Sequence, residues 1–483
     1  MQNFKRKSFY SALLAALGTM GAAGSAGAVN VNPNGLGQVL IYPYYTVRTS
    51  STSVATGPQN TYVSVTNSTS VAKAVKVRIM EGRNAREVLD FNLFLSAGDV
   101  WTAAVVPTSA TDSVGVGSAK LISADKSCTF GTVTLSPGIP FSNVGYIGDL
   151  GGDSLDRTNE GSIEFLEMGV ITHAALLTAV SHVGGVAPCT AATLAAADAA
   201  GLVGYLTTAT GGLFGGASII NPSTGVDYSY DAVALDGWDA TVGGQPSSST
   251  SLIPALATGS STTSIVLMNG VVKTATWGGP TASRDAVSAA IMRNNVMNEF
   301  VLDGSTESAT DWVVTFPTKR FYVTGATALA RQPFTNTFGA AGSCDVVSRS
   351  ASALASAGVF SREEQFSTGV GGFGTPTVTS HSLCWQANVL TFNWATGTAS
   401  NIFGSKNVSN VSTTYQNGWM KLGFNQANNI LTPISTSTNG VPDATVQSYY
   451  GLPVVGFMAQ NFVNSLISSF GGNFAHKYSV AIQ

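Results

Sequence analysis

The sequence predicts a mainly β protein of antiparallel β-sandwich (Ig-like) domains, with a few short helices and long Ser/Thr/Gly-rich loops. Short segments alternate apolar and polar residues with a period of two, which is typical of half-buried strands. Only 10% of the residues are charged, against about 25% in ordinary soluble domains, so Ser, Thr, Asn and Gln must supply the surface polarity. The 53 glycines favour many turns between strands over long helices.

The N-terminal 28 residues predict a cleavable signal peptide. Three basic residues at 5–7 precede an uncharged apolar stretch at 8–24, and small residues at 26–28 suit a signal peptidase that leaves Val29 first. A membrane anchor is disfavoured, because a span needs about 20 strongly apolar residues and this stretch is short and interrupted by glycines. The expected location is the cell surface or the extracellular medium, with the periplasm as the alternative.

Residues 29–110 predict a first β-sandwich unit. Runs at 62–67, 74–79, 88–95 and 100–106 alternate, and Val75, Val77 and Ile79 fall on one face. A turn at 96–99 separates the last two runs. This regularity is typical of an antiparallel sandwich.

The pattern is looser at 111–242, a strand-and-loop region. Strands are predicted at 163–168 and 217–221, with a short Ala-rich helix at 191–200 between them. The stretch 243–264 is dense in Ser, Thr, Gly and Pro, and it predicts a flexible loop or linker.

Residues 265–483 predict a second β-rich domain. Ser283 is suited to cap a helix extending to about Phe300. Strand patterns then follow at 312–316, 321–323, 390–394, 420–424 and 453–463.

The cysteines are even in number and lie in a chain marked for export, which predicts two disulfides. Pairing by neighbourhood gives Cys128 with Cys189 and Cys344 with Cys384, so that each bridge closes one region. Free thiols or a zinc site are the alternatives, and zinc is disfavoured because no two cysteines have the spacing C-x-x-C.

An acidic, glycine-rich segment is the strongest candidate for a metal site. Asp149, Asp153, Asp156 and Glu160 lie in and beside the sequence GDLGGDSLD, where carboxylates can converge on Ca²⁺. The spacing is not that of an EF-hand, and acidic turn residues exposed to solvent are the alternative. Calcium is the one candidate cofactor.

Other chemistry has weaker support. The net charge of −3 becomes −6 without Lys5, Arg6 and Lys7, which argues against nucleic acid as a partner. No G-x-S-x-G motif is present, and Glu164 and Glu167 should point to opposite faces of one strand, so no catalytic residue is assigned and activity is left uncertain.

The aromatic residues fit two interpretations. They can belong to the core, which their alternation with polar residues favours, or they can form a platform on which sugars stack. The candidates are Tyr42, Tyr44, Tyr45, Trp101, Trp277, Trp385, Trp394 and Trp419.

Several stretches together resemble a group of uncharacterised exported proteins of Gram-negative bacteria that are described only as cell-surface proteins. These stretches are GQVLIYPYY at 37–45, EGRN at 81–84, EVLDFN at 87–92, DWVVTFPTK at 311–319 and GGNFAHKY at 471–478. The resemblance implies a location, and it implies no activity, cofactor or site residue.

The preferred hypothesis is therefore an exported, non-enzymatic structural or interaction protein of the bacterial envelope, comparable to surface-layer proteins or adhesins. Its expected partners are further copies of the chain or other envelope components. The alternatives are an exported carbohydrate-binding or carbohydrate-acting protein and an outer-membrane β-barrel.

Overall fold

The alternating segments of the first half form two antiparallel sheets in the computed structural model. The structure describes residues 27–50, 57–323, 332–334, 336–337, 339, 342–348, 359–364, 380–394, 401–424, 429–433, 447–464 and 468–483, apart from 132, 135 and 147. Most of the predicted signal peptide, up to residue 26, lies outside these ranges. Strands are numbered here in chain order.

The first sheet has the order β1-β14-β2-β10-β4-β5-β8, with β11 paired to β10. Its strands are β1 (Asn30–Val31), β2 (Val39–Thr46), β4 (Lys73–Glu81), β5 (Glu87–Leu95), β8 (Cys128–Phe130), β10 (Glu160–Ile171), β11 (Leu206–Thr207) and β14 (Val233–Asp236). The second sheet has the order β13-β12-β3-β6-β7-β9. Its strands are β3 (Asn60–Asn67), β6 (Val100–Pro107), β7 (Ala119–Ile122), β9 (Ile139–Pro140), β12 (Leu213–Ile220) and β13 (Asp227–Asp231).

These two sheets face each other across one apolar core and form the first sandwich. Alternate residues of β4 and β5, such as Val77 and Phe91, meet Val65 and Trp101 of the second sheet. The Trp101 ring lies 5.8 Å from that of Phe91, between ring centroids. Strands from 29–110 and from 111–242 share this core, so the structure does not separate the two units that the sequence suggested.

Two further sheets form the second sandwich. One has the order β22-β20-β25-β18-β31 with β21 on β25, and the other has the order β24-β23-β19-β29-β30, in which β23 and β24 run parallel. The strands are β18 (Asn295–Val301), β19 (Ala309–Thr315), β20 (Asp345–Ser348), β21 (Val359–Ser361), β22 (Ser380–Leu383), β23 (Ala387–Trp394), β24 (Val408–Thr413), β25 (Asn417–Phe424), β29 (Val455–Asn464), β30 (Ser468–Ala475) and β31 (Lys477–Ser479). Phe300 and Leu422 of one sheet pack against Trp312 and Phe392 of the other.

Three small sheets complete the described strands. They are β15 (Thr263–Met268) with β16 (Val271–Thr276), β17 (Met292–Arg293) with β28 (Leu452–Pro453), and β26 (Ile430–Leu431), β27 (Tyr449–Tyr450) and β32 (Ala481–Ile482). The described helices are Ala174–Val180, Ala191–Ala199, Ala282–Ala290 and Arg320–Val323. Within the described part of the chain, no helix is long and apolar enough to cross a membrane.

The helix predicted from Ser283 to about Phe300 was half wrong. The helix spans Ala282–Ala290 with Thr281 at its N-cap, so Ser283 lies inside the helix and does not cap it. The rest of the segment enters strands β17 and β18. Val296 and Phe300, four residues apart, both face the core, and this even spacing suits a strand as well as a helix. The strand predicted at 321–323 is also wrong, because these residues belong to the short helix Arg320–Val323.

The segment predicted as a linker, 243–264, is packed against the first sandwich in the structure. Its carbonyl groups accept hydrogen bonds from side chains on the outer face of the first sheet. Lys76 Nζ donates to Ser249 O at 2.5 Å, and Arg78 Nη1 donates to Leu252 O at 2.8 Å. The segment therefore adds backbone acceptors to two cations that also form ion pairs with Asp90 and Glu87 of the same sheet.

The two sandwiches meet through an aromatic contact. The ring of Phe403 lies 5.3 Å from Tyr44 and 5.5 Å from Tyr228, and Tyr230 stacks on Phe457 at 4.5 Å, all between ring centroids. Beside this contact, the backbone N–H of Ala387 donates to the carbonyl of Gly82 at 2.8 Å.

Both predicted disulfides, with the predicted pairing, are present. Cys128 bonds to Cys189 and Cys344 bonds to Cys384. The first bridge ties the edge strand β8 to the residues before the helix Ala191–Ala199, and the second joins the residues that flank the paired strands β20 and β22.

Candidate functional site

The tryptophans comprise a buried group, an exposed group and Trp385, which is partly buried. Trp101, Trp238, Trp277 and Trp312 are buried, as the strand pattern of the sequence favoured for Trp101 and Trp277. In contrast, Trp394 is 44% exposed and Trp419 is 38% exposed. Because a large ring in water loses the free energy of apolar burial, exposed tryptophans are candidates for ligand contact.

Trp394 lies in a groove at one end of the second sandwich. The groove has a volume of about 370 Å³ and is lined by Ser361, Arg362, Glu363, Trp394, Thr414, Tyr415, Gln416 and Asn417. These residues come from the end of β21, the last residue of β23 and the turn between β24 and β25. Strand ends and turns at one end of a sandwich are a common place for binding sites, because the sheets hold them in fixed positions.

Strand pairing and backbone hydrogen bonds position the wall of the groove. Trp394 is the partner of Thr413 in the parallel pair of β23 and β24. The carbonyl of Gln416 accepts a hydrogen bond from Leu302 N at 2.6 Å, and that of Asn417 accepts one from Arg362 N at 3.2 Å. The wall is therefore formed before any ligand arrives, which lowers the entropy cost of binding.

The polar groups of the groove can bind hydroxyl groups. Arg362 Nε lies 2.7 Å from Glu363 Oε1, and both side chains are largely exposed at the rim. Tyr415 packs against the core, and desolvation raises the pKa of its phenol, which keeps it protonated. Amides, one ion pair and aromatic rings together suit a ligand that is apolar on its faces and polar at its edges.

Trp419 lies outside this groove, although its exposure is similar. It follows Gly418 in β25, and its ring stacks on Phe360 with 4.4 Å between centroids. The sequence could not separate Trp394 from Trp419, since both occupy strands that alternate.

Asp149, the first acid of the predicted calcium loop, is engaged by arginines. Arg157 donates to its two oxygens at 3.0 and 2.7 Å, and Arg86 Nε lies 3.3 Å from Oδ2. Burial alone would raise the pKa of Asp149, but the hydrogen bonds from Arg157 and from Gly151 N hold it below its ordinary value. Asp149 is therefore an ionised carboxylate with its charge already balanced.

Asp156 and Glu160 share another arginine. Arg48 lies 2.9 Å from an oxygen of Asp156 and 2.8 Å from one of Glu160, and Lys406 Nζ lies 2.9 Å from Asp156. Burial opposes ionisation of Asp156, but Arg48 and Lys406 lower its pKa to about 2. Asp153 is exposed. Among the residues that the structure describes, no group of three or more His, Cys, Asp or Glu side chains is placed to hold a metal ion.

Arg48 and Lys406 both border a second groove, of about 310 Å³, between the two sandwiches. Both of these cations already have carboxylate partners, so the groove offers less to a charged ligand than the groove at Trp394. The sequence did not reveal Arg48, because Arg48 and Asp156 are 108 residues apart.

Comparison of the chain with protein-family models, with curated proteins and with solved structures finds no match. The function is therefore inferred from the geometry of the grooves.

Proposed function

We propose that this chain is an exported, non-enzymatic protein of the bacterial cell surface, which binds a glycan in the groove at the end of its second sandwich. The observation that carries the proposal is the 44% exposure of Trp394, in a groove whose other walls are amide, hydroxyl and charged groups. Pyranose rings present C–H groups on their faces and hydroxyls at their edges, and this groove offers the complementary surfaces.

The number of carboxylates among the described residues of the groove favours glycan binding over glycan hydrolysis. Hydrolysis of a glycosidic bond ordinarily requires two carboxyl groups on opposite sides of the bond. Among the described residues that line the groove, Glu363 is the one carboxylate, and it is paired with Arg362 at 2.7 Å.

Export and a surface location are supported by the two disulfides, which are typical of oxidising compartments. The low proportion of charged residues, 10%, fits a surface that contacts other envelope components or further copies of the chain. We retain the Ig-like assignment within this proposal, because each sandwich is formed mainly by antiparallel sheets packed face to face. Fractionation of expressing cells, with detection of the chain in medium, periplasm and outer surface, tests the location.

A glycan array followed by calorimetry tests the binding. The full mature chain should bind at least one envelope or extracellular polysaccharide, and Trp394→Ala should weaken that binding about fivefold, since an aromatic contact contributes about 1 kcal/mol. Trp419→Ala is the matched control, with a ring of similar exposure outside the groove, and it should bind like the unmodified chain. Equal affinities for the unmodified chain and both variants, or no binding to any glycan, would contradict the assigned site.

A further inference from the structure

The second sandwich encloses the amine of Lys319 and the carboxyl group of Asp345. An ordinary ion pair does not explain the arrangement of these two groups. Lys319 Nζ lies 3.0 Å from Asp345 Oδ2, and the two side chains are 0% and 2% exposed. Lys319 follows strand β19, and Asp345 begins β20 in the opposite sheet. The pair therefore spans the two layers of the sandwich.

The surroundings of Lys319 aim the amine at the carboxyl group. Its Nζ donates to the carbonyl oxygens of Ser343 and, at 3.3 Å, of Leu383. As an ammonium, Lys319 would donate its third N–H to Asp345; in the neutral form, which has two N–H bonds and one lone pair, donation to both carbonyls would leave the lone pair on the side of Asp345. The rings of Phe316 and Phe334 lie 5.4 and 5.6 Å from Nζ, measured to the centroids, and help to exclude water.

Burial moves both groups toward their neutral forms. Desolvation lowers the pKa of Lys319 despite the attraction of Asp345, and desolvation raises the pKa of Asp345 despite the attraction of Lys319. A neutral amine is the nucleophilic form of lysine, and a protonated carboxyl group has a hydroxyl that can leave as water.

A second buried pair in the same chain shows a different arrangement. Lys73 Nζ lies 2.6 Å from Glu167 Oε1, and neither side chain is exposed. The backbone N–H groups of Thr210 and Gly211, however, donate to the two oxygens of Glu167 at 3.0 and 2.8 Å. Desolvation still raises the pKa of Glu167, but these two donors and Lys73 oppose that rise, so its carboxylate has backbone partners in addition to the lysine.

Asp345 has no comparable set of donors. Within the described residues, its Oδ2 accepts no hydrogen bond of regular geometry. A hydrogen bond from the side chain of Asn429, which also donates to Pro333 O at 2.8 Å, helps to fix the carboxyl group. The lysine, at 3.0 Å, is thus the one close partner of Oδ2 among the described residues, and this oxygen has no backbone donor of the kind that Glu167 has.

We propose that Lys319 and Asp345 condense into an intramolecular isopeptide bond. The Nζ lone pair attacks Cγ of the protonated carboxyl group and forms the N–C bond. The bond between Cγ and the hydroxyl oxygen breaks, and the hydroxyl leaves as water after taking one proton from the amine. The second amine proton stays on the new amide nitrogen, and the step needs no oxidant, reductant or cofactor.

The position of the bond suggests its role. Asp345 directly follows Cys344 and is the strand partner of Leu383, which precedes Cys384. The new amide would therefore anchor the end of β19 to a pair of strands that the disulfide already joins. The amide would link the two sheets, which the disulfide does not, and it would resist their separation even where a reductant opens the disulfide.

Intact mass spectrometry of the full mature chain, denatured and with its disulfides reduced, tests the proposal. The chain should be lighter than its sequence by one water molecule, and tandem spectra of a tryptic digest should show the peptides of Lys319 and Asp345 joined. Lys319→Met and Asp345→Ala should each restore the full mass, while the control Glu167→Gln should still lack one water molecule. The measurement on the unmodified chain stands even where a variant fails to fold.

Full mass of the unmodified chain, with the two peptides separate, would overturn the proposal. So would loss of water that persists in Lys319→Met, because the water would then come from another site. Neither outcome bears on the glycan groove, which shares no residue with this pair.

Discussion

Arg48 and Glu160 form a buried ion pair of the first sandwich at the point where it meets the second. Arg48 Nε lies 2.8 Å from Glu160 Oε1, and their side chains are 7% and 2% exposed. The same carboxylate accepts hydrogen bonds from Ser405 Oγ at 2.6 Å and Lys406 N at 3.0 Å, which belong to the second half of the chain. One acid therefore balances an arginine of the first sandwich and holds a loop of the second.

Substitution of Glu160 should loosen this junction. Glu160→Gln removes the charge that faces Arg48 and leaves a buried guanidinium with Asp156 alone, so we expect a loss of about 3 kcal/mol in the free energy of unfolding. Urea denaturation measures it. The exposed Asp153 provides the control, since Asp153→Asn should change stability by less than about 0.5 kcal/mol. Equal effects of the two substitutions would show that the junction does not depend on this pair.

Calcium should leave the stability of the protein unchanged. Of the four acids that the sequence offered as ligands, Asp153 is exposed, and Asp149, Asp156 and Glu160 are each bound by an arginine. A divalent cation would have to displace those cations, which are held at hydrogen-bond distance. We expect the same melting temperature in EGTA and in millimolar Ca²⁺. A rise with calcium that Asp153→Asn abolishes would instead support the calcium loop.

Loss of the first disulfide should cost more than a surface substitution. The bridge between Cys128 and Cys189 closes a loop with a sequence separation of 61. Chain-entropy estimates for such a loop give about 4 kcal/mol, so Cys128→Ala with Cys189→Ala should lower the unfolding free energy by about that amount. Equilibrium denaturation measures the change, and the unmodified chain under reducing conditions is the comparison. An unchanged midpoint in both would mean that packing alone holds β8 in place.

The strands were predictable from the sequence because their residues alternate without interruption. In β4, Val75, Val77 and Ile79 all enter the first core, as their spacing predicted. The helix predicted at 283–300 was too long because the four-residue spacing of Val296 and Phe300 fits both the period of a helix and that of a strand. Tertiary pairing of β18 with β25 and β31 decides between them, and no local signal reports it.

The candidate site was less predictable, because contacts between distant segments define it. Trp394 has the same local pattern as the buried residues Leu390 and Phe392, and only its position as the last residue of β23 leaves it exposed. The arginine that Asp156 and Glu160 share is also distant in the sequence, since Arg48, just after β2, precedes Glu160 by 112 residues. The disulfides could be predicted, because each joins two cysteines that have no other cysteine between them in the sequence.

His476 lies buried in its neutral form between the two layers of the second sandwich. Its Nε2 lies 3.0 Å from Val313 O, and its Nδ1 lies 3.2 Å from the amide nitrogen of Asn298. An N–H at Nε2 and an acceptor at Nδ1 satisfy both contacts, which fits the neutral ring. Burial lowers the pKa of His476 to about 4, against 6.5 in the unfolded chain.

This histidine should make the protein less stable as the pH falls from 6.5 to about 4. In that window the unfolded chain binds a proton that the folded protein excludes, so stability rises with pH and is complete above 6.5. The full difference corresponds to about 3 kcal/mol. Urea denaturation at a series of pH values measures how the free energy of unfolding depends on pH. His476→Gln should remove the part of this dependence that belongs to His476. The control His173→Gln, at an exposed position, should keep it. Burial also raises the pKa of carboxyl groups such as those of Glu167 and Asp345. The difference between the two variants therefore isolates His476, and identical pH profiles would contradict its assignment as a neutral, buried ring.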